Sequence, residues 1–103
     1  MIIYNVTVKV DADAANDWVM WMKGEHMPEL MQTGLFTNSR LCHLLEQDEL
    51  EGCTYVAQYF CEGIAQYNSY ISEHAQQMRD KAFARFGAKF TAFRTIMEEE
   101  FSL

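Results

Sequence analysis

Cysteine and basic residues are few, and each shortage excludes something. The chain has 8 Lys and Arg against 15 Asp and Glu, a formal charge of −7. Its few cations are scattered, so the basic footprint that a phosphate backbone needs is missing and no nucleic-acid partner is expected. The three cysteines, Cys42, Cys53 and Cys61, are an odd number with no CxxC pair, which argues against a disulfide framework or a zinc knuckle. They read as reduced, mostly buried thiols; Cys53 and Cys61 on one extended strand would stand too far apart to bridge. No apolar run reaches the ~20 residues that span a bilayer, and MIIYNVTVKV alternates where a secretory signal would be basic and then solidly apolar. A cytoplasmic protein with no membrane partner is expected. Gly-rich phosphate loops, GxSxG, HExxH and HxH are all absent, so neither a phosphate cradle nor an elbow nucleophile is indicated.

Apolar residues are plentiful by contrast. In 103 residues, 50% are hydrophobic and 14% aromatic. One small core cannot hide that much apolar surface, and self-association is the natural outlet. With no linker, repeat or low-complexity stretch, residues 1–103 read as a single domain.

Residues 2–10 alternate, Tyr4, Val6, Val8 and Val10 against Ile3, Asn5, Thr7 and Lys9, as a half-buried strand does. Asp11 or Asp13 offers an N-cap to a helix over residues 12–26, in which Ala15, Trp18, Met22 and Glu25 share one face with Trp21 at its edge. The lone proline, Pro28, should push Met27 out of the helical region and end that helix. A short piece, PELMQT, follows, with Gly34 placed to close it. Residues 36–46 and 54–62 are rich in β-branched and aromatic side chains and are separated by QDELEG, as in a hairpin. From Ile64 a helical period sets Ile64, Tyr67, Ile71, His74, Ala75, Met78 and Ala82 on one stripe up to Gly87, and residues 89–98 form a last strand before the acidic tail.

This order, βαββαβ, predicts an α+β ferredoxin-like sandwich: a four-stranded antiparallel sheet with two helices on one face. The other face is left open and partly apolar. Two subunits packing sheet against sheet, as a homodimer, would bury it.

The segments HMPELMQTGLF (residues 26–36) and FRTIMEE (93–99) resemble a small family described as a domain of unknown function within the dimeric α/β-barrel superfamily. That superfamily includes small cofactor-free monooxygenases, haem-degrading enzymes and stress-responsive barrels. The resemblance covers essentially the whole chain. It implies a ligand cavity between sheet and helices or near the dimer interface, walled by the first helix and its kinked end, and carries over no catalytic residue.

The candidate residues follow from the residues themselves. Glu25 on an aromatic face would be desolvated and could serve as a general acid or base, with His26 sharing the proton and Glu29 nearby. The competing reading has Glu25 reaching water or pairing with an arginine while His26 caps the broken helix. Arg40 and Arg94 are strand arginines suited to a carboxylate. Arg94, among Phe90, Ala92 and Ile96, reads as buried and therefore in need of a partner, Glu25 or another carboxylate. Trp18 and Trp21, with Tyr4, Tyr55, Tyr59, Tyr67 and Tyr70, could line a pocket for a flat molecule or simply fill the core. His26, His43 and His74 occur singly; His74 reads as a core histidine, no metal or other cofactor is expected, and the sequence selects neither His26 nor His74 for haem.

Two functions stand at this point. One is a homodimeric module holding a small apolar or aromatic acid under helix one, with Trp18, Trp21 and Arg94 as ligand contacts. The other is a cofactor-independent monooxygenase- or isomerase-like enzyme that uses Glu25, His26 and Arg94.

Overall fold

The computed structural model describes residues 1–103. Its elements are β1 (Ile2–Asp11), α1 (Ala15–Trp21), a π-helical turn (Met22–His26), α2 (Met27–Gln32), β2 (Asn38–His43), β3 (Gly52–Cys61), α3 (Ile64–Glu73), α4 (Ala75–Phe86), a 3-10 turn (Gly87–Lys89) and β4 (Phe90–Glu98). The antiparallel sheet is ordered β2-β3-β1-β4. With the helices on one face, this is the α+β ferredoxin-like fold.

The register assigns each side chain to a face. Tyr4 stands between Tyr59 and Ile96, Val6 between Ala57 and Arg94, and Val8 between Tyr55 and Ala92. Because neighbours in sequence alternate faces, these residues look toward the helices. Tyr4, Val8, Val10, Ala57, Tyr59 and Cys61 are buried there, against Trp18, Met22, Leu30, Tyr70 and Met78. The core is strongly aromatic: Tyr4 lies 6.0 Å from Tyr59 and 5.7 Å from Tyr70, and Phe36 lies 5.2 Å from Tyr70, spacings at which tilted and edge-on rings attract.

The opposite face of the sheet is uncovered. Arg40 Nε donates to Gln58 Oε1 (2.6 Å), and Gln58 Nε2 donates to Asn5 Oδ1 (2.8 Å), a polar ladder across β2, β3 and β1. Around it stand half-buried Ile3, Val56 and Phe60 and the exposed Phe93 (64%) and Met97 (43%). No helix is long and apolar enough to cross a membrane.

Several expectations are corrected. The first helix begins at Ala15, its N-cap is Ala14 with no side-chain cap bond, and Asp13 instead bonds Lys89 Nζ at 2.7 Å. Pro28 does not end the helix, since Met27 keeps helical angles (φ −63°, ψ −42°) and its N–H donates to the Met22 carbonyl, a five-residue step. Two effects favour the wider turn, the burial of Met27 and Leu30 that it permits and a local one at the proline. In an α-turn the proline ring would press on the carbonyl four residues back, that of Gly24, and supply no donor to it. Widening the turn by one residue removes that contact and lets the helix continue. The long second helix is in fact two, broken at His74 (φ −128°, ψ −32°), and within the first of them Tyr70 is buried while Ile64 and Ile71 stay exposed. The hairpin strands are also offset from 36–46 and 54–62, and of the three cysteines only Cys61 is buried, with Cys53 intermediate and Cys42 exposed. Gly34 does close α2 with a positive φ of 77°.

Candidate functional site

A pocket opens between the sheet and the α1–α2 segment. Its floor is Tyr4, Val6, Val8 and Tyr59 with Ala92 of β4; Trp18, Trp21, Met22, His26 and Leu30 wall one side, Tyr70, Met78 and Ala82 the other, and Arg79 and Arg94 also line it. The unfilled space is about 480 Å³ counted with its open mouth. That is room for a few waters or for one small flat ligand with slight adjustment of the walls.

The π-turn decides which polar group enters. On a uniform helix Glu25 would follow Trp18 and Met22 inward. The wide turn delays the inward face by one residue, so Glu25 is exposed and His26 takes its place, with Met27 and Leu30 buried beyond it. The His26 ring stacks on Trp21 at 4.5 Å with 23° between planes. Its Nδ1 is buried and has no hydrogen-bond partner, a condition that costs about 1–3 kcal/mol when nothing answers it. Burial pulls the His26 pKa from 6.5 to about 4; Glu29 opposes that shift, and the Arg94 and Lys81 charges reinforce it. The imidazole is therefore neutral at pH 7. Burial also raises the pKa values of Tyr59 and Tyr70, so both keep their phenolic protons at neutral pH.

Arg94 is exposed at the pocket, on β4 at the edge of the sheet. The expected buried pair with Glu25 is not formed. Carboxylates within 4.0 Å of a basic side chain belong to the pairs His43–Glu49, His74–Glu73, Lys81–Glu29 and Lys89–Asp13, which leave Arg79 and Arg94 unpaired. Of the sequence candidates, then, the fold brings Trp18, Trp21, His26 and Arg94 to one pocket and leaves Glu25 outside. Arg40 is engaged elsewhere, by Gln58 and over the Phe60 ring at 5.4 Å. His74 is half-buried at the helix break, 6.3 Å from the Tyr70 ring. Arg79 was missed; it stands on α4 at the position after Met78, where a helical stripe gives no warning of a pocket.

Residues 1–100 match the family described as a domain of unknown function, DUF4286. The chain belongs to that family. No curated protein matches the sequence. Among solved structures it is similar to a dimeric ferredoxin-like protein from an uncultured marine organism (9% identity, TM-score 0.72, covering 99% of this chain and 97% of the other). It is also similar to SnoaB, a cofactor-independent oxygenase from Streptomyces nogalater (11%, 0.63, 99% and 96%), and to hydroxynitrile lyase from Passiflora edulis (15%, 0.60, 98% and 97%). At such identities the likeness shows the fold alone. Two different chemistries on one scaffold also mean that the site, and not the fold, must carry any functional argument.

Proposed function

We propose that this DUF4286 protein is a homodimer that holds a small aromatic or apolar carboxylic acid in the pocket between α1–α2 and the sheet. The observation that carries this reading is the buried, partnerless Nδ1 of His26 in an aromatic pocket that two unpaired arginines also line. Arg94 and Arg79 supply guanidinium donors for the carboxylate, Trp21 and Tyr4 face the flat body of the ligand, and His26 gives or takes one hydrogen bond. Charge supports the arrangement, since two of the 8 basic residues of an acidic chain meet at this one opening. The second subunit covers the open face of the sheet, where Phe93 and Met97 are exposed; the marine relative is itself described as dimeric.

The test uses the tryptophans as reporters. Titrating 2-naphthoate should quench Trp18 and Trp21 fluorescence saturably, 2-naphthamide should bind at least about tenfold more weakly, and Arg94→Gln should remove that difference. Equal binding of acid and amide, or no saturable quenching by the acid, would overturn the reading.

A second reading rests on the neutral His26 imidazole beside Arg94. A bound anion raises the imidazole pKa, so His26 could take a proton from an acidic C–H or O–H of the ligand while Arg94 stabilises the resulting enolate or phenolate. This is the cofactor-independent oxygenase or isomerase chemistry, with Glu25 left on the solvent side and its part passing to His26. Deuterium exchange into an enolisable aryl keto acid that is abolished by His26→Gln would favour it over simple binding.

A further inference from the structure

Away from the pocket, the β2–β3 hairpin assembles a second group of side chains. His43 is the last residue of β2, Glu49 belongs to the connecting loop, and Cys53 is the second residue of β3. Their ligand atoms, an imidazole nitrogen, a carboxylate oxygen and the thiol sulfur, all lie within 4.8 Å of one another. His43 Nε2 and Glu49 Oε2 are 2.6 Å apart. None of the three lines the pocket. Sequence spacing gave no hint of this group, because strand pairing creates it: His43 sits opposite Tyr55 in the register, and Cys53, two residues before Tyr55, looks out on the same side of the sheet.

We propose that His43, Glu49 and Cys53 form a binding site for a divalent transition ion of zinc's class, with water as the fourth ligand. The donor set fits that ion. Zinc accepts imidazole nitrogen, carboxylate oxygen and thiolate sulfur together, and three protein ligands with an open fourth position are a common arrangement. Hard ions such as magnesium and calcium prefer oxygen-only sets. The dimensions fit as well. Ligand atoms around a tetrahedral zinc stand roughly 3.3–3.6 Å apart, given bonds of about 2.0–2.3 Å. The present separations run from 2.6 Å to at most 4.8 Å, so small side-chain rotations close the site without moving the strands. The site is also partly preset: the His43 ring stacks on Tyr55 at 4.8 Å and 27°, which fixes the imidazole plane so that Nε2 faces the carboxylate.

Chemically, binding exchanges one proton for one metal–sulfur bond. The ion displaces the Cys53 thiol proton to solvent and takes the thiolate. The carboxylate then turns from His43 to the metal. The bound ion would join β2, the loop and β3, clamping residues 44–51.

Cobalt(II) is the probe, because thiolate ligation gives it a near-ultraviolet charge-transfer band and a tetrahedral site gives it intense visible bands. One equivalent added to the reduced full-length protein should produce both, and zinc should displace it. Cys53→Ser should abolish the charge-transfer band, and His43→Ala should weaken binding at least about tenfold. Cys42→Ser, on the other face of the sheet, should leave the spectrum unchanged. Circular dichroism establishes that each variant is folded, and Glu49→Gln, which keeps the side chain's shape, should weaken binding as well. Absence of the thiolate band at stoichiometric cobalt, or a band that survives Cys53→Ser and is lost in Cys42→Ser, would overturn the proposal.

Discussion

The buried His26 imidazole makes the stability of the protein depend on pH in a defined window. Its pKa is about 4 in the folded chain and 6.5 in an unstructured one. Above pH 6.5 the ring is neutral in both states and contributes no pH dependence. As pH falls from 6.5 toward 4, the unfolded chain takes up a proton that the native state refuses, so stability falls. The loss approaches 1.4 kcal/mol for each unit, reaching about 2 kcal/mol by pH 5 and about 3 kcal/mol below pH 4, where the native ring also titrates and the slope vanishes. That is a large share of the roughly 5–15 kcal/mol available to a domain. Carboxylates titrate in the lower part of the window, so the measurement is a difference. Urea unfolding midpoints are recorded from pH 7.5 to 4.5 for the wild type and for His26→Gln, whose amide does not titrate. The variant should follow the same curve without the His26 part, and the gap between the two proteins should shrink or reverse by about 2 kcal/mol between pH 7 and pH 5. His43 and His74 are present in both proteins and cancel. Parallel curves, or a His26 imidazole that titrates near 6.5 by NMR, would show that the ring is solvated and that the pocket geometry assigned to the π-turn is wrong.

Three further outcomes test the fold and the assembly. A Cβ on Gly52 would collide with the Val10 carbonyl oxygen and stand 3.1 Å from its carbon, so Gly52→Ala must push β3 off β1 and should cost on the order of 2 kcal/mol in urea unfolding; an unchanged midpoint would refute so close an approach. Phe93→Glu places a charge on the open sheet face where Phe93 is 64% exposed, and should turn a dimer into a monomer by analytical ultracentrifugation, whereas a wild type sedimenting at the mass of one chain would remove the interface altogether. Pro28→Ala gives back the donor to the Gly24 carbonyl, a gain of about 1 kcal/mol, but closing the π-turn would carry Met27 and Leu30, 9% and 1% exposed, out of the core at about 1.5–3 kcal/mol each. Packing wins that comparison, so the variant should keep the wide turn and the low His26 pKa; a return of the pKa toward 6.5 would mean that the proline alone holds the turn.

The fold was legible because its signals are local and repeated. Alternation over residues 2–10, the turn chemistry before Gly52, and Gly63 and Gly87 at element ends dictate βαββαβ with little help from tertiary structure, and that order leaves few ways to pair four strands. The region of the site is legible in the sequence, but which of its two polar candidates enters the pocket is not. Glu25 and His26 are adjacent, a helical wheel assumes a constant period, and one wide turn moves every later residue off its expected face, so that Glu25 reaches water and His26 lines the pocket. Arg94 reads as buried because its neighbours on one face of β4 are apolar, yet sequence does not say where the covering layer stops. This part of β4 lies at the edge of the sheet, and Ile96 is 41% exposed there as well. Both gaps share a cause. Each concerns the boundary of an element, its change of pitch or the limit of its cover, and it is at those boundaries that the regular pattern fails and an imidazole without a partner and a guanidinium without a carboxylate come to line one pocket.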